Sequence, residues 1–108
     1  MFGFSQGVAT IVRWVARGRT RADEVILWAG SFPADVALAA FKERLAGAPV
    51  VLVVGARDEL ASWAAADVQL TRCLDAGIPA RLLSFEGGHR LDYGTLAAIA
   101  DDERLDEA

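Results

Sequence analysis

The stretch Pro49-Val50-Val51-Leu52-Val53-Val54-Gly55 decides the fold class of this chain. Its five central residues are branched and apolar, and they stand between two residues that interrupt regular structure, so we predict a strand over residues 50–54. No polar residue alternates with the apolar ones, which is typical of a strand buried on both faces of a parallel sheet. The stretch therefore indicates an α/β protein with helices on both sides of the sheet.

The segments on either side of this strand alternate between strand and helix patterns. Two short apolar stretches bounded by turn residues predict further strands over residues 25–29 and 80–85. Four stretches with apolar residues three and four positions apart predict helices: from Ser5 to Gly18, over residues 34–45, from Ser62 to Asp75, and over residues 95–105. This order implies βαβ units and predicts a parallel three-stranded sheet with about four helices.

The handedness of βαβ units predicts which helices cover which face of the sheet. Right-handed crossovers place the two connecting helices on one face, together with the helix that follows Ser5, and leave only the last helix for the other face. One helix cannot cover three strands. We therefore expect part of that face, and the edge of the strand at residues 25–29, to stay open.

Length, charge and hydropathy limit the classes of function. The 108 residues suffice for one small core, so we assign residues 1–108 to a single domain. Fifteen acidic and eleven basic residues give a formal net charge of -4, which argues against a nucleic-acid partner. No apolar run approaches the roughly 20 residues of a membrane helix, and no secretion signal is visible. We expect a soluble cytoplasmic chain that does not bind a membrane, in which the lone Cys73 has a packing role.

Three polar residues follow the predicted strands or open the first helix. Ser5 opens that helix, Asp58 follows Gly55 by three residues, and His89 follows the strand at residues 80–85. The carboxyl ends of parallel strands meet at one edge of a sheet, where binding sites form. The order Ser, Asp, His along the chain is that of α/β-hydrolase triads, in which His removes the serine proton and the carboxylate orients the imidazole.

The serine lies in the pattern Gly3-Phe4-Ser5-Gln6-Gly7, which is a G-x-S-x-G motif. In esterases this motif turns a strand sharply into a helix and exposes the serine. The backbone N–H of Gln6 is then placed to stabilise an oxyanion. We expect Gly3 and Gly7 to be required because a side chain at either position would crowd the turn or the packing of the helix.

Each of these residues also has a purely structural interpretation. Ser5 alone could be a helix cap, Asp58 a loop carboxylate with Asp35 and Glu59 as rival acids, and His89 an ordinary surface residue. The catalytic interpretation is favoured because all three occur in the order of a triad, each after the right kind of element.

Three motifs, at residues 3–7, 55–58 and 87–89, resemble the signature motifs of the phospholipase/carboxylesterase family of α/β-hydrolases. The segment Trp28-Ala-Gly-Ser-Phe-Pro33 is similar to the strand and loop that follow the nucleophile in that family. The resemblance covers the whole chain but only the C-terminal half of a family member. It therefore implies a truncated α/β-hydrolase without the usual strand before Ser5 and without the second oxyanion donor. Val8 also stands where the family usually has a small residue.

The resemblance and the residues together predict a serine carboxylesterase that hydrolyses small acyl esters through Ser5, His89 and Asp58, with the Gln6 N–H as oxyanion donor. No metal or organic cofactor is implied. We expect self-association, most simply as a dimer, because the shortened sheet exposes an apolar edge or face. Two alternatives stay open: a non-catalytic fragment that self-associates or is completed by another chain, and a thioesterase acting on acylated proteins.

Overall fold

The computed structural model describes residues 1–18 and 21–107, with side chains described up to residue 101. Strands and helices alternate along the chain. The strands are β1 (Phe2–Phe4), β2 (Val25–Trp28), β3 (Val50–Gly55) and β4 (Ala80–Phe85). The helices are α1 (Gln6–Arg17), α2 (Leu38–Leu45), α3 (Trp63–Asp75) and α4 (Tyr93–Glu107). The predicted α/β class and the three longer strands are thus confirmed.

The sheet has four parallel strands in the order β1-β2-β3-β4, so the expectation of three strands was wrong by one. The additional strand, β1, is only three residues long and pairs with β2 from Phe2 opposite Ile26 to Phe4 opposite Trp28. The expectation of an open edge at β2 is wrong for the same reason. The open edge on this side of the sheet belongs to β1.

The apolar run that predicted the fold class forms β3, in which every residue from Val50 to Gly55 is buried. Its neighbours β2 and β4 pair with it in register over their whole lengths. A strand that is enclosed on both sides and both faces has no place for polar side chains, which explains the absence of alternation in its sequence.

Two hydrophobic cores lie on opposite faces of the sheet, as the crossover rule predicted. One core joins α1, α2 and α3 to the sheet through residues such as Val12, Phe41 and Cys73. The other joins α4 to the sheet and contains Trp28 and Ile99. A single helix therefore covers the second face.

Local hydrogen bonds determine where the later helices begin. The Ser62 hydroxyl accepts a hydrogen bond from Ala65 N at 3.1 Å, which confirms the predicted cap of α3. The Asp92 carboxylate accepts from Thr95 N at 3.0 Å, and α4 accordingly begins at Tyr93 rather than at Thr95. Helix α2 begins only at Leu38, because residues 34–36 turn after Pro33 and Ala37 is extended. Within the described residues, no helix has the length and hydropathy needed to cross a bilayer.

Candidate active site

Ser5 lies at the sharp turn between β1 and α1, with φ 56° and ψ -118°. A residue with a side chain adopts this region only under strain, at a cost on the order of 1–3 kcal/mol, so the surroundings must hold it. The Ser5 N–H donates to Trp28 O at 2.8 Å, at the end of the neighbouring strand β2. The adjacent strand thus holds the turn, and α1 leads the chain away directly after it.

The two glycines of the motif have different surroundings. A Cβ at Gly3 would lie 2.6 Å from Gly7 O and 3.0 Å from a side-chain carbon of Ile11, so α1 packs directly on the Gly3 backbone. A Cβ at Gly7 would meet no described atom within 4 Å apart from its own helix and chain neighbours. The expectation of close approach therefore applies to Gly3 and is wrong for Gly7.

Asp58 lies in the loop between β3 and α3, with its side chain fully buried. Its Oδ1 accepts hydrogen bonds from Leu60 N and Ala61 N, both at 2.8 Å. Burial by itself would raise the pKa of this carboxyl, but the hydrogen bonds from Ala61, His89 and Leu60 outweigh it and lower the pKa. Asp58 is therefore an oriented carboxylate at neutral pH.

His89 connects the other two predicted residues, and its side chain is 21% exposed. Its Nδ1 lies 2.8 Å from Asp58 Oδ2, and its Nε2 lies 2.8 Å from Ser5 Oγ. An ionised carboxylate can only accept a hydrogen bond, so the Nδ1 carries the proton and donates to Asp58. This tautomer leaves Nε2 free to accept the Ser5 hydroxyl proton.

Two aromatic residues with no predicted role in the site, Phe4 and Trp28, hold the imidazole and its loop in place. The Phe4 ring packs against the His89 ring with centroids 5.2 Å apart. The fully buried Trp28 donates from its indole Nε1 to Arg90 O at 2.9 Å, directly after His89. The position of Phe4 inside the motif could have indicated its contact with the site, but the Trp28 bond spans 62 residues and has no local signal.

Neither rival acid forms a hydrogen bond with the imidazole among the described residues, and Glu59 is exposed to solvent. Asp35 forms ion pairs with Arg13 and Arg17, both at 2.8 Å, and the hydrogen bond from Arg13 is the main reason that its pKa is lowered. Cys73 is buried in the core, and burial raises the pKa of its thiol to about 11. The packing interpretation of Cys73 therefore agrees with its surroundings.

The backbone N–H of Gln6 opens α1, and no residue in the described part of the chain accepts a hydrogen bond from it. Such free N–H groups at a helix start stabilise negative charge. The arrangement thus combines a hydroxyl, a base with a fixed tautomer, a buried carboxylate and a free donor, which is the set that acyl transfer requires. Nowhere in the described ranges do three His, Cys, Asp or Glu side chains group closely enough to hold a metal ion.

No protein-family model and no curated protein matches the sequence of this chain. Solved structures match its fold. The structure of Arabidopsis thaliana SOBER1 aligns with a TM-score of 0.77 and 21% identity, covering 96% of this chain and 51% of that one. Esterase PE8 aligns with a TM-score of 0.74 and 26% identity, covering 96% of this chain and 48% of that one. Zea mays acyl-protein thioesterase 2 aligns with a TM-score of 0.74 and 14% identity, covering 99% of this chain and 55% of that one.

These similarities concern the fold, since the sequence identities are low. The chain spans about half the length of the solved structures that it matches. The parallel direction of the strands follows the expectation derived from the alternation of strand and helix patterns in the sequence. The chain therefore has the fold of part of an α/β-hydrolase.

Proposed function

We propose that this protein is a serine carboxylesterase that hydrolyses small acyl esters through an acyl-enzyme on Ser5. One observation carries the proposal: an unbroken line of hydrogen bonds runs from Asp58 through His89 to Ser5, with both bonds of the imidazole at 2.8 Å. The strained backbone of Ser5 gives independent support, because strain of this kind persists where the surrounding structure holds a functional group in place.

The acylation step uses the three side chains in turn. The Ser5 oxygen forms a bond to the carbonyl carbon of the ester while His89 Nε2 takes the hydroxyl proton. The carbonyl oxygen becomes an oxyanion, to which the Gln6 N–H donates. His89 then gives its proton to the departing alcohol as the bond between the carbonyl carbon and the alcohol oxygen breaks, which leaves the acyl group on Ser5.

The deacylation step repeats this chemistry with water. A water molecule gives a proton to His89 Nε2 and attacks the acyl carbon, and the proton then returns to Ser5 Oγ as the carboxylic acid leaves. Asp58 stays ionised and stabilises the imidazolium formed in each half-reaction. A single N–H donor to an oxyanion is typically worth about 3–4 kcal/mol, so Gln6 alone supports a modest rate.

A direct assay compares p-nitrophenyl acetate hydrolysis by the wild-type protein and by Ser5→Ala. We expect turnover above buffer that the substitution abolishes. Ser84→Ala is the matched control, because it removes an exposed hydroxyl on β4, which pairs only with β3 at the far side of the sheet. Retained turnover in Ser5→Ala would refute the proposed nucleophile.

Labelling with a fluorophosphonate tests the activation of the serine without any choice of ester. We expect a single adduct on Ser5 by peptide mass spectrometry, retained in Ser84→Ala and lost in His89→Ala. An adduct that forms equally fast in His89→Ala would show that the imidazole does not activate Ser5.

The open side of β1 favours a second candidate function. In this candidate, the protein is a non-catalytic α/β-hydrolase fragment that another chain or a further segment completes. Met1 O accepts from Ile26 N and Ser5 N donates to Trp28 O, so the main-chain groups of Phe2 and Phe4 face away from β2. The chain also spans only about half of the solved structures that it matches. Absence of both turnover and adduct would favour this candidate.

Self-association is part of both candidates. The Phe2 side chain is 38% exposed at the open edge, on the sheet face that α4 alone covers. We propose that a second copy covers this edge as a dimer. Size-exclusion chromatography with light scattering should give twice the 11.5 kDa mass of the chain, and Phe2→Ser should shift the distribution toward the monomer. A wild-type protein that is monomeric at high concentration would contradict this proposal.

A further inference from the structure

A cavity of about 180 Å³ lies between the loops that follow β2 and β3. Residues 29–31 form one wall and residues 59–62 the opposite wall, while Leu27 and Leu52 lie at the floor. Helix α3 closes the side with two alanines and Gln69. We refer to this space as the β2–β3 cavity.

Both walls of the β2–β3 cavity contact the candidate triad directly. On one side, the Gly30 backbone packs so closely on Ser5 O that no side chain could be accommodated there. On the other side, Ala61 N donates to Asp58 Oδ1 at 2.8 Å. The cavity is therefore built from the same loops that position the nucleophile and the acid.

Gln69 places a polar group in this space, although the residue is only 8% exposed. Its Oε1 accepts from Phe32 N at 2.9 Å, and this bond determines which end of the amide is the oxygen. In the described residues no hydrogen bond from the Nε2 group of Gln69 is found, and Gln69 is one of the residues that line the cavity. The cavity is partly open, so water or a ligand can reach this N–H group and accept a hydrogen bond from it.

We propose that the β2–β3 cavity binds a short aliphatic group of the ester substrate that carries an ether or hydroxyl oxygen, with Gln69 Nε2 as the donor to that oxygen. The inference rests on the proposed esterase function and specifies its substrate class. The volume corresponds to about six water molecules at ~30 Å³ each, which suits a chain of a few carbon atoms. Leu27 and Leu52 contact the methylene groups of the substrate, and its ether or hydroxyl oxygen accepts a hydrogen bond from the Gln69 amide.

The test uses pairs of esters of matched shape that differ in one atom. On the acyl side, p-nitrophenyl methoxyacetate is compared with p-nitrophenyl butyrate, and on the alcohol side, 2-methoxyethyl acetate is compared with butyl acetate. For each pair, the ratio of kcat/KM values is measured in the wild-type protein and in Gln69→Leu. Comparing the ratios between proteins cancels the intrinsic reactivity of each ester.

We expect Gln69→Leu to reduce the preference for the ether in one of the two pairs by about fivefold, the typical effect of one hydrogen bond. The affected pair then identifies whether the acyl or the alcohol group occupies the cavity. Gln69→Glu keeps an oxygen acceptor for Phe32 N but replaces the N–H donor with a carboxylate oxygen, so it should show the same loss if Gln69→Leu folds poorly. Ratios unchanged in both pairs would overturn the inference while leaving the esterase proposal intact.

A binding measurement covers the case in which the protein has no turnover at all. The side-chain amide resonances of Gln69 are followed by ¹⁵N NMR during titration with 2-methoxyethanol and, separately, with 1-butanol. We expect larger shifts with the ether. Equal or absent shifts would overturn the proposed site, whatever the outcome of the esterase assay.

Discussion

The two glycines of the G-x-S-x-G motif give the sharpest test of the structure, because the same substitution should have opposite effects four residues apart. In Gly3→Ala, the new Cβ would lie 2.6 Å from the main-chain oxygen of Gly7, which can move only together with α1. Overpacking of this kind costs about 3 kcal/mol at the upper end of its usual range. The reduced entropy of the unfolded chain returns about 0.5–1 kcal/mol, so we expect a net loss of about 2 kcal/mol.

In Gly7→Ala, the new methyl group meets no described atom within 4 Å outside its own helix and chain neighbours. Alanine is the better helix former, so we expect a gain of about 0.5–1 kcal/mol. The two variants should thus differ by about 3 kcal/mol, which is about 15 °C in Tm at roughly 5 °C per kcal/mol for a domain of this size.

Thermal unfolding followed by circular dichroism measures this difference, and fluorophosphonate labelling reports the effect on Ser5. We expect Gly3→Ala to label slowly and Gly7→Ala to label at the wild-type rate. Equal Tm values for the two variants would refute the packing argument. A Gly7→Ala variant that unfolds below the wild-type temperature would show that another segment or a second copy fills the space beside Gly7.

Four further predictions concern the triad and the core. Asp58→Asn should lower kcat for p-nitrophenyl acetate by about 10⁴-fold through loss of the correct His89 tautomer. The pKa of Asp58 is lower in the folded than in the unfolded protein. Its stabilising effect is therefore complete above the unfolded pKa of about 4 and is lost as the pH falls through the folded pKa. The Tm difference between wild type and Asp58→Asn should accordingly shrink in acid. Trp28→Phe leaves Arg90 O without its hydrogen-bond donor, so it should destabilise the fold by about 1–3 kcal/mol and slow fluorophosphonate labelling. Labelling of this variant at the wild-type rate would exclude a positioning role for Trp28. Cys73 should not react with a disulfide reagent at pH 8 until the protein is unfolded, because burial raises the pKa of its thiol to about 11.

The longer elements could be predicted because their patterns are local. The run from Val50 to Val54 consists only of apolar branched residues, which indicates its burial. Ser62, which caps the start of α3, is a residue type with a known preference for that position. Strand β1 could not be predicted, since three residues are too few to show a period and its conformation depends on pairing with β2. Tertiary contact, and not local preference, makes Phe2–Phe4 a strand.

The placement of the candidate triad could be predicted because parallel strands bring their carboxyl ends to one edge. What surrounds the triad could not. The contact of Gln69 with Phe32 N and that of Trp28 with Arg90 O join residues 37 and 62 positions apart, and side-chain amides and indoles have many possible partners. The expectation for Gly7 was wrong because the motif specifies the backbone turn but does not show which atoms of this chain pack against each glycine.

Trp28 forms hydrogen bonds with both the turn that carries Ser5 and the loop that carries His89. Its main-chain oxygen accepts from Ser5 N, and its indole donates to the carbonyl group next to His89. The other two tryptophans, Trp14 and Trp63, are about half exposed, so replacing them with phenylalanine would leave Trp28 as the single indole fluorophore. Its emission would then shift toward longer wavelength when either loop moves away and water reaches the ring. The protein thus contains its own optical probe of whether nucleophile and base are assembled, and the probe works without substrate.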